Sequence, residues 1–215
     1  MNALVVLAGE PPSEELLSWH FEGSDFVVAA DGGMKALLHL GVQPDLLVGD
    51  FDSFDPDSLD SPKFKVSRDS DQNSTDMEKA LRSLMREEVP ERIVFLGATG
   101  GRSDHFLNNL LVIAALPKEI EVILDSQDEF IRRVTPARAA KFTGILGQTI
   151  SLFPQVDCEG VVTRGLEWEL SDAEMGVGKI LGQSNRAVSE QVEIRIESGS
   201  LLAITPKVGF REDSA

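Results

Sequence analysis

The sequence has little cysteine and little positive charge, and each shortage excludes a class of protein. Cys158 is the only cysteine among 215 residues, so no intrachain disulfide can form and nothing indicates an oxidising compartment. The 20 basic side chains stand against 36 acidic ones, which gives a formal charge of -16. Such a charge repels nucleic acid and anionic membranes and attracts cations, so we expect no nucleic-acid partner.

Long hydrophobic runs are also missing. The apolar run at residues 1–9 has no basic leader and is too short for an export signal. The run at residues 110–116 falls far short of the roughly 20 residues that span a bilayer. With 42% hydrophobic and 26% charged residues, the composition is that of a globular protein. We therefore expect a cytoplasmic protein with no membrane partner.

Residues 1–127 alternate short apolar runs with helical patterns. Strands are predicted at residues 4–8, 26–30, 46–48, 93–96 and 122–124. Helical patterns lie at residues 34–38, 77–85 and 104–116. Thr75, followed three residues later by Glu78, predicts a capping box at the start of the second helix. The alternation predicts an α/β domain with a parallel, Rossmann-like sheet over residues 1–127.

After Asp125 the periodicity changes to that of an all-β protein. Residues 192–196 alternate apolar and polar side chains, and Ser198-Gly199 turns towards the apolar run 201–204, which predicts an antiparallel hairpin. Glycines divide the remaining chain into short segments, as in a sandwich or a barrel. We predict a second, all-β domain over residues 128–215, with the polar stretch 125–129 as the boundary.

Acidic residues follow the predicted strands, at the sheet edge where ligands bind in parallel α/β proteins. Asp31 follows the second strand, and Asp50 and Asp52 follow the third. In an extended segment, the carboxylates of Asp50 and Asp52 share one face and the Phe51 ring points to the other. Carboxylate ligands favour Mg²⁺, whereas zinc would need the cysteine or histidine that is scarce here.

Each of these carboxylates also has a purely structural alternative. Asp50 and Asp52 are compatible with an ordinary acidic turn, and Asp31 with a cap on the helix that begins at Gly32. Asp76 stands in the first turn of a helix, where a carboxylate gains from the helix dipole. The sequence leaves these alternatives open.

A glycine-rich loop precedes the helix predicted at residues 104–116. Backbone amides at Gly100 and Gly101 can approach an anion, with the helix dipole behind them. The loop lacks the ending of a Walker loop and the spacing of a dinucleotide fingerprint. Arg102 adds a planar cation suited to phosphate oxygens, with a surface salt bridge as its alternative use. We interpret His105 as a residue of the helix start rather than a base.

Four segments follow one another in a characteristic order and spacing: ADGG at 30–33, PDLLVGDFDS at 44–53, STDMEKAL at 74–81 and GATGGRSDH at 97–105. Together they closely resemble the thiamin pyrophosphokinase family. Two later segments, GLEWEL at 165–170 and GQSN at 182–185, look like that family's C-terminal signatures. The resemblance therefore covers nearly the whole chain.

The resemblance implies an N-terminal α/β domain, a C-terminal β-sandwich and a homodimer. In that homodimer, the active sites lie between the α/β domain of one subunit and the sandwich of the other. It also implies the reaction, in which the pyrophosphoryl group of ATP passes to the hydroxyl of thiamin and gives thiamin diphosphate and AMP. Mg²⁺ is the implied cofactor.

The resemblance also implies roles for single residues. The catalytic carboxylates are Asp31, Asp50, Asp52 and Asp76, of which Asp50, Asp52 and Asp76 are the implied Mg²⁺ ligands. Gln72, Arg102 and Asp104 match family positions that contact the nucleotide phosphates or complete the site, and the predicted nucleotide site also includes Thr75, Gly100 and Gly101. Ser184 and Asn185 fall where the family contacts thiamin, and Trp168 offers either a ring face to thiamin or a buried sandwich side chain.

The chain departs from the family at two positions. Asn73 stands where the family usually has an aspartate, so no ligand or base is assigned there. The aromatic residue that follows the Ser-Asn pair in some members is missing, because Arg186 and Ala187 follow here. Thiamin stacking is therefore not assigned to that loop.

Two other functions are compatible with the same carboxylates. A magnesium-dependent nucleotide phosphohydrolase would activate water in place of an alcohol. A non-catalytic nucleotide-binding dimer would bind ATP without turnover, although binding alone does not require several convergent carboxylates.

Overall fold

A computed structural model describes residues 1–52, 54–58 and 63–207. Ser53 of the acidic segment and residues 208–215 of the predicted second domain lie outside the described residues. The chain divides into two compact units, one of Met1–Val112 and Leu124–Gln127, the other of Ile113–Ile123 and the chain from Asp128 onward. Across the described residues, no helix combines the length and the apolar character that crossing a bilayer requires.

The first unit is built on a parallel sheet. Its strands are β1 (Asn2–Val6), β2 (Phe26–Ala30), β3 (Leu46–Gly49), β4 (Lys65–Arg68) and β5 (Arg92–Leu96), and it includes the end of β6 (Glu121–Asp125), whose first three residues belong to the second unit. Parallel pairing gives the order β5-β1-β2-β3-β4, with β6 beside β5. All five predicted strands are present, although β1 lies two residues earlier than the predicted 4–8, and their continuous apolar runs match strands buried on both faces. Strand β4 was not predicted, since it lies at the edge and is largely exposed.

The helices are α1 (Glu14–Glu22), α2 (Met34–His39), α3 (Asp76–Glu87) and α4 (Ser103–Ala115), with short 3-10 turns at Asp31–Gly33 and Pro56–Ser58. Helix α1 was not predicted, and the other three were. The capping box is confirmed, because the Thr75 side chain accepts from the amide of Glu78 and the Glu78 side chain accepts from the amide of Thr75. The box fixes where α3 begins, and therefore where Asp76 stands.

The second unit contains two antiparallel sheets around one apolar core. Its strands are β7 (Glu129–Val134), β8 (Ala140–Thr143), β9 (Thr149–Pro154), β10 (Cys158–Arg164), β11 (Ala173–Met175), β12 (Gly182–Arg186), β13 (Gln191–Arg195) and β14 (Leu201–Pro206). The strands β12-β9-β14-β7 are hydrogen-bonded neighbours in that order, and β11-β10-β13-β8 form a four-stranded sheet of their own. The core includes Cys158, whose thiol pKa is raised by burial. The predicted fold class, an α/β domain followed by a β-sandwich, is confirmed.

The predicted hairpin at Ser198-Gly199 is wrong. Strand β13 pairs with β8 and β10, whereas β14 pairs with β7 and β9, so the two strands belong to different sheets. Gly199 adopts φ +95, and a Cβ there would stand 2.4 Å from the carbonyl oxygen of Asp157. The turn therefore carries the chain from one sheet to the other. The alternating pattern had predicted that β13 and β14 pair with each other in one sheet.

Arg133 is a buried guanidinium that ties the segment before β6 to the second unit. It donates to the carbonyls of Ile113, Leu116, Pro117 and Ile120 over 2.7–2.9 Å. Burial lowers the pKa of Arg133 to about 10, so the side chain is still charged at neutral pH. These hydrogen bonds join β7 to residues 113–120 within the second unit.

Candidate active site

Three aspartates meet at the carboxyl ends of β2 and β3. Asp31 follows β2 directly, and Asp50 and Asp52 follow β3. Each offers one carboxylate oxygen, and these oxygens lie within 4.8 Å of one another. Like charges this close repel unless a cation lies among them. Three oxygen donors without cysteine or histidine are the ligand chemistry that Mg²⁺ prefers, so the residues present fit this ion.

Asp31 is held in a buried and unusual conformation. Its residue is 3% exposed and its φ is +40, in the left-handed region that most side chains avoid. The cap of the 3-10 turn is Ala30 and that of α2 is Gly33, with no side-chain hydrogen bond at either cap. The structure thus assigns the caps to Ala30 and Gly33 and not to Asp31.

The segment between Asp50 and Asp52 is not extended, which corrects the predicted geometry. Phe51 has φ +66, so the chain turns sharply at this residue. The guanidinium of Arg68 lies 4.8 Å from the centre of the Phe51 ring and donates to the Asp50 carbonyl oxygen at 3.3 Å. The two carboxylates share one cluster because of this turn rather than through strand alternation.

Lys79 is a member of the site that the sequence did not reveal. Its side chain is 3% exposed, and its ammonium donates to Oδ2 of Asp50 at 3.0 Å. It also lies 3.7 Å from Oδ1 of Asp76, one turn earlier on α3. The hydrogen bond from Lys79 holds the pKa of Asp50 below its ordinary value. Its (i, i+3) spacing from Asp76 was the available signal.

Asp76 stands at the first position of α3 and joins the cluster through Lys79. Burial raises the pKa of the Asp76 carboxyl above its ordinary value. Lys79 opposes the rise, while the charges of Asp50 and Asp52 add to it. Neighbouring carboxylates with pKa values shifted in opposite directions are typical of sites that handle charge.

The loop before α3 is fixed by its own side chains. Gln72 donates from Nε2 to Oδ2 of Asp50 at 3.1 Å. Asp71 accepts from the hydroxyl of Ser74 and from the backbone amide of Asn73, at 2.6 and 3.0 Å. Hydrogen bonding to Ser74 holds the pKa of Asp71 below its ordinary value. Asn73 thus takes part in the loop through both its backbone amide and its side chain, which also hydrogen-bonds to Asp71.

A cleft of about 360 Å³ opens beside these residues within the first unit. Its lining includes Asp31, Thr75, Asp76, Gly100, Gly101 and Arg102. Gly100 and Gly101 both have positive φ, at +72 and +65, which glycine adopts without strain. The structure therefore brings six of the predicted catalytic and nucleotide residues to one cavity of a size that suits a small ligand.

Arg102 forms a surface ion pair, which is the alternative to phosphate binding that the sequence left open. Its Nε and NH2 atoms donate to the two carboxylate oxygens of Asp104 at 3.1 and 2.6 Å, and both side chains are largely exposed. The Arg102 guanidinium holds the pKa of Asp104 below its ordinary value. A phosphate presents oxygens with the same spacing, so it would compete with Asp104 for this fork.

In the second unit, Asn185 organises the segment that carries Trp168. The Asn185 amide donates to the Trp168 carbonyl at 2.8 Å and accepts from the Trp168 amide at 3.2 Å. Trp168 is 61% exposed, so its interpretation as a buried sandwich residue is wrong. Ser184 has φ +56, and its amide donates to Oγ of Ser151 at 3.0 Å.

Comparisons with known proteins agree with the sequence resemblance. The family model described as thiamin pyrophosphokinase, catalytic domain, matches residues 18–124, and the one described as thiamin pyrophosphokinase, vitamin B1 binding domain, matches residues 135–201. Thiamine pyrophosphokinase 2 of Arabidopsis thaliana is 29% identical over 95% of this chain and 86% of its own length. Thiamine pyrophosphokinase of Bacillus subtilis is 25% identical over 95% of this chain and 98% of its own.

Solved structures give the same fold. The crystal structure of thiamine pyrophosphokinase from Bacillus subtilis superposes with a TM-score of 0.78 at 24% identity, over 96% of this chain and 99% of that one. Thiamin pyrophosphokinase from Candida albicans superposes with a TM-score of 0.79 at 19% identity, over 95% and 88%. At these identities the superpositions show the fold alone.

Proposed function

This chain belongs to the thiamin pyrophosphokinase family, and we propose that it transfers the pyrophosphoryl group of ATP to the hydroxyl of thiamin, releasing AMP. The observation that carries the ATP and metal parts of this proposal is the position of Asp31. Asp31 belongs both to the carboxylate cluster and to the lining of the cleft. A nucleotide in the cleft would therefore place its phosphates beside the cluster.

Asp50, Asp52 and Asp76 are the proposed Mg²⁺ ligands. Asp31 lies in one cluster with Asp50 and Asp52 and is the fourth carboxylate of the proposed site. When bound, Mg²⁺ neutralises charge on the phosphate oxygens during the transfer. The carboxylates are presented by the ends of β2 and β3 and by the capped start of α3. Rigid elements of this kind hold their side chains in place before substrate arrives.

The chain's own residues account for phosphate binding and proton transfer. Gly100 and Gly101 present backbone amides to the phosphates, and Arg102 exchanges Asp104 for phosphate oxygens. Gln72 fixes Asp50, and Thr75 fixes the start of α3. The thiamin hydroxyl attacks the β-phosphorus, the bond to the oxygen bridging the α- and β-phosphorus breaks, and AMP leaves with that oxygen. The hydroxyl proton passes to an aspartate, for which we propose Asp31.

Ser184, Asn185 and Trp168 are the proposed thiamin residues. The exposed Trp168 indole offers a ring face to the thiazolium cation, and Asn185 holds the segment that presents it. We propose that the protein acts as a homodimer, with the thiamin residues of one subunit completing the cleft of the other. Exposed apolar side chains that support such an association are Trp168, Val177, Ile180, Leu181 and Val188.

The test is the release of AMP from ATP with and without thiamin. We expect AMP and thiamin diphosphate in equal amounts and only when thiamin is present. A phosphohydrolase would release inorganic phosphate or pyrophosphate without thiamin, and a non-catalytic nucleotide-binding dimer would retain intact ATP. A rate of AMP release that does not respond to thiamin overturns the proposal.

A further inference from the structure

Lys79 places a fixed positive charge inside the carboxylate site. Lysine side chains are almost never fully buried unless they are paired, and that of Lys79 is only 3% exposed. Its ammonium lies 3.0 Å from Asp50 Oδ2 and 3.7 Å from Asp76 Oδ1. It does not line the cleft. A direct contact between Lys79 and substrate is therefore not indicated, and the side chain acts through the carboxylates.

The hydrogen bonds of Asp50 show how Lys79 positions this carboxylate. Lys79 Nζ and Gln72 Nε2 both donate to the same oxygen, Oδ2, at 3.0 and 3.1 Å. A carboxylate offers about two acceptor positions on each oxygen, so two donors fill Oδ2. The backbone of Asp52 also hydrogen-bonds to the Asp50 carboxylate, so these donors together hold Asp50 in one orientation beside Asp31 and Asp52.

The positive charge of Lys79 also repels a divalent cation that binds to the neighbouring carboxylates. A divalent ion held by Asp50 would lie close to the ammonium that contacts the same carboxylate, in a partly buried region where Coulomb interactions are weakly screened. Four aspartates attract the ion, and Lys79 offsets part of that attraction. The phosphates of a nucleotide restore the negative charge that Lys79 offsets.

We propose that Lys79 is a positioning residue and resident counter-charge that weakens the binding of free divalent cations, so that a cation binds strongly only together with nucleotide phosphates. This inference rests on the proposed function. The competing explanation is an ion pair that only stabilises the fold. When the charge is removed, the proposal predicts tighter cation binding, whereas the competing explanation predicts unchanged or weaker binding.

The decisive measurement is calorimetric binding of Mn²⁺ to the full chain without nucleotide. For Lys79→Met we expect the dissociation constant to fall about tenfold, because Coulomb repulsion is removed. Lys79→Arg keeps the charge, so its Mn²⁺ affinity should stay near that of the wild type. Lys65→Met is the matched control, since Lys65 pairs with Glu87 at the surface and its loss should leave Mn²⁺ binding unchanged.

The nucleotide arm adds a second readout. With a non-hydrolysable ATP analogue bound, the Mn²⁺ affinities of the wild type and Lys79→Met should differ less than they do without it. Lys79→Gln, which is neutral and retains a hydrogen-bond donor, serves if the methionine variant does not fold. Unchanged or weaker Mn²⁺ binding in either folded neutral variant overturns the proposal.

These outcomes are separate from those of the proposed function. Mn²⁺ binding needs neither thiamin nor turnover, so it can disprove the role of Lys79 while thiamin-dependent AMP release persists. Conversely, AMP release at a rate independent of thiamin refutes the proposed reaction. The effect of Lys79 on cation binding is still tested separately by calorimetry.

Discussion

Gly49 and Asp31 lie so close together that a Cβ on Gly49 would stand 3.0 Å from the Cβ of Asp31. Gly49 ends β3, and Asp31 follows the neighbouring strand β2. The missing side chain at residue 49 thus leaves the space in which the buried carboxylate stands. The position of Asp31 depends on a residue with no chemistry of its own.

Gly49→Ala should displace Asp31 and weaken the site. We expect Mn²⁺ affinity and AMP formation each to fall about tenfold, with a loss of about 1–3 kcal/mol in the free energy of unfolding from overpacking. Calorimetry, a product assay and thermal denaturation measure the three quantities. Gly23→Ala is the control, since φ is -87 there and a new Cβ would meet only ordinary contacts, the nearest at 3.4 Å. Wild-type Mn²⁺ affinity in Gly49→Ala would contradict this account of Asp31.

Asp52→Asn should nearly abolish AMP formation even at saturating magnesium. The change replaces one charged oxygen of the cluster with a neutral amide, and losses of about 100-fold or more are usual when a group that stabilises charge in the transition state is removed. Asp57→Asn removes the same charge from an exposed residue of the 3-10 turn at Pro56–Ser58 and should leave the rate unchanged. A near-normal rate in Asp52→Asn would remove this residue from the site.

Asp76→Asn should stabilise the metal-free protein at neutral pH while reducing activity. The pKa of Asp76 is raised, chiefly by burial, so above that pKa the ionised carboxyl weakens the fold. Once the pH falls below the ordinary value of about 4, the carboxyl is protonated in both the folded and the unfolded state, and the effect disappears.

The melting temperature in EDTA should therefore favour Asp76→Asn at pH 7 and converge with that of the wild type as the pH falls through about 4. Asp57→Asn again serves as the control. A variant that melts below the wild type at pH 7 would show that the ionised Asp76 stabilises the fold.

Asn185→Ala and Trp168→Ala should separate stability from thiamin binding. Loss of the Asn185 amide leaves the Trp168 backbone groups without their partners and should cost about 1–3 kcal/mol of unfolding free energy. Trp168→Ala removes an exposed ring, so it should raise the KM for thiamin and leave the melting temperature nearly unchanged. Gln183→Ala, at an exposed position, is the control for both. An unchanged KM in Trp168→Ala would exclude the ring from the thiamin site.

Much of the fold could be predicted because its local signals agree with its tertiary contacts. Buried parallel strands such as β2 and β5 are continuous apolar runs, and the Thr75–Glu78 box marks the start of α3. Strand β4 was not predicted because an exposed edge strand has no apolar pattern. The β13–β14 hairpin was wrong because alternation specifies a strand but not its partner.

The site was predicted in its residue types and less well in its geometry. Placement after parallel strands was enough to bring Asp31 together with Asp50 and Asp52. Phe51 has a left-handed backbone and is contacted by the distant Arg68, and local sequence encodes neither feature. Lys79 was missed because a lysine on a helix is ordinarily solvated, and only the folded chain shows it buried against Asp50.

The turn at Phe51 limits how far the acidic motif can be transplanted. A left-handed aromatic residue is costly, and the stacked guanidinium of Arg68 on β4 helps to hold it. A protein engineer who grafts only the Gly-Asp-Phe-Asp segment onto another parallel sheet would therefore transfer the carboxylates without the arginine contact that helps to orient them. The smallest portable unit is this segment together with an edge strand that bears arginine.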